Sequence, residues 1–181
     1  MNVIVIGGGA AGFFGGIAAA ENGHEVTILE AAASVLAKVR ISGGGRCNLT
    51  HSCFEPRELV NSYPRGGKAL RGPFSRFQPS DTINWFESRG VRTKTEADGR
   101  MFPTTDDSAT IVDCLQDAAK DAGVVVRLRA NVSSIQKTDS HFLVALHSGE
   151  TMQADRILLA TGGSRAGQSA MIARSIHSAF S

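Results

Sequence analysis

A glycine-rich segment near the amino terminus has the spacing of a dinucleotide-binding turn. Gly7, Gly9 and Gly12 form GxGxxG between an apolar run and a stretch of small residues. The first glycine permits a tight turn, the second lets the backbone approach a pyrophosphate, and the third lets helix and strand pack closely. Glu30 ends the next predicted strand, where its carboxylate can accept hydrogen bonds from both ribose hydroxyls and would repel a 2′-phosphate. This pattern favours FAD or NAD over NADP; the alternatives are a structural glycine turn and a solvated Glu30.

A second glycine-rich segment has the composition of a loop that wraps around a flat or anionic ligand. It consists of Ser42, Gly43, Gly44, Gly45, Arg46, Cys47 and Asn48. Consecutive glycines expose backbone N–H groups and admit positive φ angles, and Arg46, Asn48 and the upstream Lys38 would add charge and direction. The alternative is a flexible linker, which is usually Gly and Ser alone. Cys47 is either a reactive thiol near a flavin or, as we predict, a packing residue.

A third motif is the apolar run 156–160 followed by Thr161-Gly162-Gly163. A strand that ends in Ala-Thr-Gly resembles the segment that returns the chain to the cofactor after a β-meander in flavoproteins with two dinucleotide domains. Together with the amino-terminal pattern it favours FAD over NAD, because simple NAD domains do not usually need this return. Segment 96–103, which reads EADGRMFP, offers Arg100 beside an Asp98-Gly99 turn, and a surface hairpin accounts for it equally well.

The composition predicts a globular chain. The 181 residues are 42% hydrophobic, and 19 basic against 17 acidic side chains give little reason to invoke nucleic acid or an anionic membrane, so any basic patch must be local. Cys47, Cys53 and Cys114 match neither a CxxC pair nor a zinc ribbon and fit a reducing cytoplasm. The apolar start lacks the basic leader of a signal peptide, and no run is long enough to span a bilayer. We therefore expect a cytoplasmic protein without a metal site.

The hydrophobic pattern predicts a Rossmann-like α/β fold with a parallel sheet, helices and a small β-meander. The expected parallel strands are 2–6, in the centre, 24–29, 124–128 and 156–160. Helices are expected over 10–22, from Ser80 or Asp81 to Gly90, after Asp107 up to Gly123, and within 168–181. The meander is expected over 132–136, 142–147 and 151–154. Residues 31–79 lack a sustained period and are predicted to form a long irregular loop.

The chain resembles the BaiN/YhiN-type flavoproteins, NAD(P)/FAD-dependent oxidoreductases also labelled an aminoacetone-oxidase family. The resemblance rests on GGGAAG at 7–12, KVRISGGGRCNLT at 38–50, DGRMFP at 98–103 and ADRILLATGG at 154–163. It implies FAD bound by residues from all of these motifs: Gly7, Gly9, Ala10, Ala11, Gly12, Glu30, Lys38, Ser42, Gly43, Gly44, Gly45, Arg46, Cys47, Asn48, Val132, Ala160, Thr161 and Gly162.

The sequence departs from this family in two respects. Thr50-His51 stands where many relatives read threonine-asparagine. Family members also run to roughly twice this length, judged against usual domain sizes, so an inserted second domain and a carboxy-terminal return are expected to be absent.

The resemblance predicts that residues 1–181 form an FAD-binding domain whose intact relatives transfer hydride between a nicotinamide and a small organic substrate, with NAD(P)H as a transient donor. A non-catalytic dinucleotide-binding module, or a truncated fragment without the isoalloxazine side, is the alternative. A simple NAD-dependent dehydrogenase would need a substrate domain that the sequence does not show. Neither nucleic acid nor a membrane is expected as a partner, and no catalytic acid or base is assigned.

Overall fold

The computed structural model describes residues 1–163. The chain divides into two compact units, of which the first comprises Met1–Lys38 and Leu115–Ser181 and the second Val39–Cys114. The helix predicted within 168–181 lies outside the described residues. None of the helices in the described part is long and apolar enough to cross a membrane.

The described strands are β1 Asn2–Ile6, β2 Glu25–Leu29, β3 Thr50–His51, β4 Thr93–Thr95, β5 Arg100–Pro103, β6 Val125–Arg127, β7 Val132–Lys137, β8 Phe142–Leu146, β9 Thr151–Ala154 and β10 Arg156–Leu159. The α-helices are α1 Ala10–Glu21, α2 Ala37–Ile41, α3 Pro56–Leu59, α4 Gly67–Phe74, α5 Pro79–Glu87 and α6 Ala109–Asp121. Short 3₁₀ turns follow α2 and α3, at Ser42–Gly45 and Val60–Ser62.

The first unit contains a four-stranded parallel sheet in the order β10-β1-β2-β6. The residues of β1 from Val3 to Ile6 are all buried, as an uninterrupted apolar run in an interior parallel strand requires. The prediction that this strand is central is confirmed. Helix α1 lies close to the sheet. A Cβ at Gly16 of this helix would lie only 3.3 Å from the side chain of Ile28 in β2. Gly23 follows the carboxyl end of α1 and has the left-handed conformation, with φ of +81°, that is typical of this position.

An antiparallel meander, β7-β8-β9, completes the described part of the first unit. Its buried residues Ile135 and Val144 join Ile4, Ile6 and Leu29 of the parallel sheet in one hydrophobic core. Burial of this apolar surface holds the meander against the sheet. The predicted α/β fold with a parallel sheet and a small meander is confirmed, with strand ends that differ from the predicted ones by at most one residue.

The second unit contains a three-stranded antiparallel sheet in the order β3-β5-β4. Strands β4 and β5 form the hairpin that accounts for EADGRMFP, with Gly99 at φ of +82° in its turn. Helix α5 begins at Pro79, so the prediction of Ser80 or Asp81 as its cap is wrong. Gln78 is the N-cap, and its N–H donates to Oδ2 of Asp81 at 2.8 Å. The segment predicted as irregular also contains the eight-residue α4, which the sequence pattern did not indicate.

Candidate functional site

Two glycines of the amino-terminal turn are required by the packing of the first unit. Gly7 has φ of +113°, and a Cβ there would lie 2.4 Å from the carbonyl oxygen of Ala160. A Cβ at Gly12 would lie 1.9 Å from the carbonyl oxygen of Gly7. Both contacts are far below van der Waals separation and involve backbone atoms, which cannot swing aside. Packing against the backbone of the first unit therefore explains why positions 7 and 12 are glycine.

Gly9 differs from these two glycines. Its φ of −88° and ψ of −175° are open to any residue, and a Cβ there would meet no atom of the described residues within 4 Å. Neither backbone strain nor packing within the described part demands glycine. The missing side chain leaves space in front of the first turn of α1. The space beside Gly9 is therefore open to an occupant other than the described residues.

The start of α1 offers hydrogen-bond donors to that space. Gly9 is the N-cap and has no side chain with which to cap the helix, and Ala10 and Ala11 are exposed. The first N–H groups of an α-helix have no acceptor within the helix, and no other described residue accepts from these two backbone amides. Free amides and the helix dipole together favour an anion such as a diphosphate.

Glu30 lies beside the same turn. Its Oε2 accepts from the N–H of Gly8 at 2.7 Å, and its Oε1 accepts from the N–H of Ala32 at 2.8 Å. Through these two hydrogen bonds the Glu30 carboxylate holds the glycine turn in place. The sequence did not indicate this structural role. An ionised carboxylate has about four acceptor sites, so these two bonds leave capacity for ribose hydroxyls.

The third motif and Lys38 come together in the first unit. The N–H of Ala160 donates to the carbonyl of Ile6 at 2.9 Å, which sets the end of β10 beside the glycine turn. Lys38 Nζ donates to the carbonyl of Gly163 at 3.3 Å, and Gly162 has φ of +69°. The return segment, including Thr161, thus reaches the amino-terminal turn, as its resemblance to flavoprotein segments implies.

Val132, which the resemblance assigns to the cofactor, is only 3% exposed and belongs to the hydrophobic core. Its side chain is committed to packing. Any contact with a ligand has to be made by its backbone, and the assignment stays a prediction.

The Ser42 to Asn48 segment forms a tight left-handed turn in the second unit. Gly43, Gly44 and Gly45 have φ of +57°, +70° and +88°, which the sequence pattern predicted. The N–H of Cys47 donates to the carbonyl of Ser42 at 3.0 Å and closes the turn. In the orientation that satisfies its neighbours, the Asn48 amide donates to the backbone carbonyls of β3 and β5. The segment is therefore an ordered turn and not a flexible linker.

Arg46 is already paired within the second unit. Its guanidinium contacts the carboxylate of Glu96, lies 3.6 Å from Asp106 and sits 4.1 Å above the ring of Phe102. Lys94 pairs with Asp106 as well and, by that hydrogen bond, lowers the pKa of the carboxyl. The sequence suggested Arg46 as a ligand contact but missed these partners, because they lie some 50 residues or more along the chain.

Cys47 is buried, and this burial raises the pKa of its thiol. A protonated thiol is a poor nucleophile. We expect alkylation by iodoacetamide near neutral pH to modify Cys53, which is partly exposed, at least about tenfold faster than Cys47. Peptide mass spectrometry measures both rates, and denatured protein, in which the rates should converge, is the control. Faster modification of Cys47 would contradict its role in packing.

The described residues contain no group of three or more His, Cys, Asp or Glu side chains that could hold a metal ion. The site in the first unit is instead defined by a glycine turn between β1 and α1, free amides at the helix start and a carboxylate at the end of β2. This arrangement defines a Rossmann-type dinucleotide-binding domain. The chain belongs to the family described as the HI0933-like protein Rossmann domain, which matches residues 1–173. The family predicted from the sequence motifs is thereby confirmed.

Curated relatives match the chain over most of its length. It is 33% identical over 163 residues to a ribosomal RNA dihydrouridine synthase of Escherichia coli, covering 90% of this chain and 39% of that protein. It is 29% identical over 161 residues to a 3-dehydro-bile acid delta(4,6)-reductase of Clostridium scindens, covering 88% and 38%. The chain thus spans well under half the length of these relatives.

Solved structures show the same fold. The 3-ketosteroid-delta4-(5alpha)-dehydrogenase of Rhodococcus jostii superposes with a TM-score of 0.66 at 16% identity, over 89% of this chain and 45% of that one. An open flavocytochrome c3 fumarate reductase gives a TM-score of 0.61 at 24% identity, over 90% and 33%. At these identities the likeness establishes the fold alone.

Proposed function

We propose that this chain is the FAD-binding domain of a flavoprotein oxidoreductase. The observation that carries the proposal is Gly9, a glycine with unstrained backbone and open space beside it at the start of α1. A pyrophosphate fills such a space in dinucleotide-binding domains. The names of the curated relatives, a reductase and a dihydrouridine synthase, support redox chemistry.

In this proposal the first unit holds the ADP half of FAD. The amides of Gly9, Ala10 and Ala11 bind the pyrophosphate, and Glu30 accepts hydrogen bonds from the ribose hydroxyls. Lys38 and, from the return segment, Thr161 and Gly162 supply further contacts. The family resemblance also assigns the left-handed turn Ser42–Asn48 to the cofactor, and that assignment stays a prediction.

Bound flavin would supply hydride transfer, and the protein's contribution is to bind and orient it. The names of the two relatives, a dihydrouridine synthase and a delta(4,6)-reductase, both indicate reduction of a double bond. We propose the same reaction class here, with NAD(P)H as donor, a small organic substrate and a cytoplasmic location. The near-balanced charge of the whole chain supports the absence of a membrane partner.

The visible spectrum of the purified chain tests the proposal. Bound flavin absorbs at about 450 nm, and reconstitution with FAD should give this band in stoichiometric amount after gel filtration. A protein that binds ADP but retains no flavin would be a dinucleotide-binding module without the isoalloxazine contacts. A protein that binds neither would contradict the proposal.

Replacing Glu30 should separate its two roles. In Glu30→Ala we expect FAD affinity to fall by about 1–3 kcal/mol, because charged hydrogen bonds to the ribose are lost. Thermal stability should fall too, because the amides of Gly8 and Ala32 lose their acceptor. Glu30→Gln keeps one acceptor oxygen and should lie between. Calorimetric titration and a thermal melt measure both quantities, and unchanged affinity would make Glu30 a bystander.

A further inference from the structure

The Ser42–Asn48 turn has a backbone conformation that residues outside the turn must stabilise. Gly43, Gly44 and Gly45 all have positive φ angles, and Cys47, with φ of +60°, has one as well. Left-handed residues usually occur singly, and the conformation is unfavourable for cysteine because its Cβ approaches the following carbonyl oxygen. Such a run persists only where the surrounding structure over-determines it.

Ser108 holds the backbone of this turn at two points. Its N–H donates to the carbonyl oxygen of Gly45 at 2.8 Å, and its Oγ donates to the carbonyl oxygen of Arg40, just before the turn, at 2.8 Å. A serine at the start of a helix usually accepts from a backbone N–H of that helix, whereas this hydroxyl donates to the segment that leads into the turn. Among residues 1–163, Ser108 is the one buried polar or charged residue, at 6% exposed. Its hydroxyl is therefore committed to the turn.

Asp106 holds a side chain that belongs to the same turn. Its Oδ1 lies 3.6 Å from Nη1 of Arg46, and its Oδ2 pairs with Lys94. Asp106 itself has φ of +54°, and in the second unit, all of which is described, Cys47 and Asp106 are the only non-glycine residues with a positive φ. Strained residues of this kind cluster at ligand-binding sites. Both of them lie here, one in the turn and one in the segment that contacts it.

We propose that Asp106 and Ser108 are positioning residues, which hold the Ser42–Asn48 turn in the conformation that binds the cofactor. This role rests on the proposed function, in which the family resemblance assigns the turn to FAD. Ser108 acts through the backbone of the turn, and Asp106 acts through the guanidinium of Arg46. Because the proposed ADP site lies in the first unit, the turn serves the remaining, flavin part of the cofactor. Loss of either residue should therefore weaken the binding of FAD and spare that of ADP.

Titrations of the full chain with FAD and with ADP test this role. Ser108→Ala removes the hydrogen bond to the carbonyl before the turn. Asp106→Asn removes the charge that faces Arg46, and asparagine tolerates the left-handed conformation. We expect each variant to bind FAD about three- to tenfold more weakly than the parent chain, and ADP within about twofold of it. The absorption band of the flavin that still binds, at about 450 nm, should also change in position or shape, because the turn is no longer held in one arrangement.

Ser75→Ala and Asp113→Asn are the matched controls in the second unit. Oγ of Ser75 also donates to a backbone carbonyl, that of Gly72 at 2.7 Å, and Asp113 is an exposed carboxylate on α6. Both controls should bind FAD like the parent chain.

Three results would overturn the proposal: parental FAD affinity and spectrum in Ser108→Ala and Asp106→Asn, equal weakening of FAD and ADP, or the same loss in the controls. A parent chain that binds no FAD would instead contradict the proposed function itself, so the two failures are distinguishable.

Discussion

Gly9→Val is expected to abolish FAD binding while the chain remains folded. The valine side chain would occupy the space in front of the first turn of α1, where the pyrophosphate is proposed to lie. Its backbone angles suit valine, and no described atom lies within 4 Å of the new Cβ, so the fold has no reason to change. We expect a loss of affinity of at least about hundredfold, since the phosphate contacts cannot re-form around the side chain.

Quenching of flavin fluorescence measures the affinity, and circular dichroism measures the fold. Gly72→Val is the matched control, because a Cβ at Gly72 also meets no described atom within 4 Å and the residue lies on α4 of the second unit. FAD binding by Gly9→Val at parental affinity would refute the assignment of the turn.

Gly12→Ala should have the opposite effect, a loss of stability. A Cβ at this position would lie 1.9 Å from the carbonyl oxygen of Gly7, so helix α1 must move away from β1. Overpacking of this kind costs about 1–3 kcal/mol or more. Urea denaturation followed by circular dichroism measures the free energy of unfolding.

Gly15→Ala is the control for this experiment, because it makes the same change on the same helix. Its Cβ would meet the end of the Leu158 side chain at 2.5 Å, which can rotate away. The alanine also raises helix propensity in both variants. We therefore expect Gly15→Ala to be clearly more stable than Gly12→Ala, and equal stability would show that the backbone contact at Gly12 is not decisive.

Periodicity predicted the elements that are long and buried. Strand β1 and helices α1 and α6 were predicted to within two residues, because each buries one continuous apolar face and a glycine follows within two residues of its end. Helix α4 escaped prediction since Gly72 and Pro73 lie within it and none of its residues is fully buried. The cap of α5 was misplaced because glutamine is an uncommon N-cap, and here Asp81 secures it from inside the helix.

The candidate site was predicted in its backbone but not in its side chains. The positive φ angles of Gly43 to Gly45 were expected because consecutive glycines admit them. The partners of Arg46 could not be read from the sequence, since Glu96 and Asp106 approach only after β4 and β5 have paired.

By itself the sequence determined the family, the Rossmann-like fold and the place of the glycine turn between β1 and α1. These depend on local conformation and on the short-range alternation of strand and helix, which neighbouring residues encode directly. Only the tertiary structure decided which glycine of the turn has open space beside it, that Glu30 accepts from the Gly8 amide, and that Cys47 is buried. Those properties arise from atoms brought together across the chain, so their energies exist only once the fold has formed.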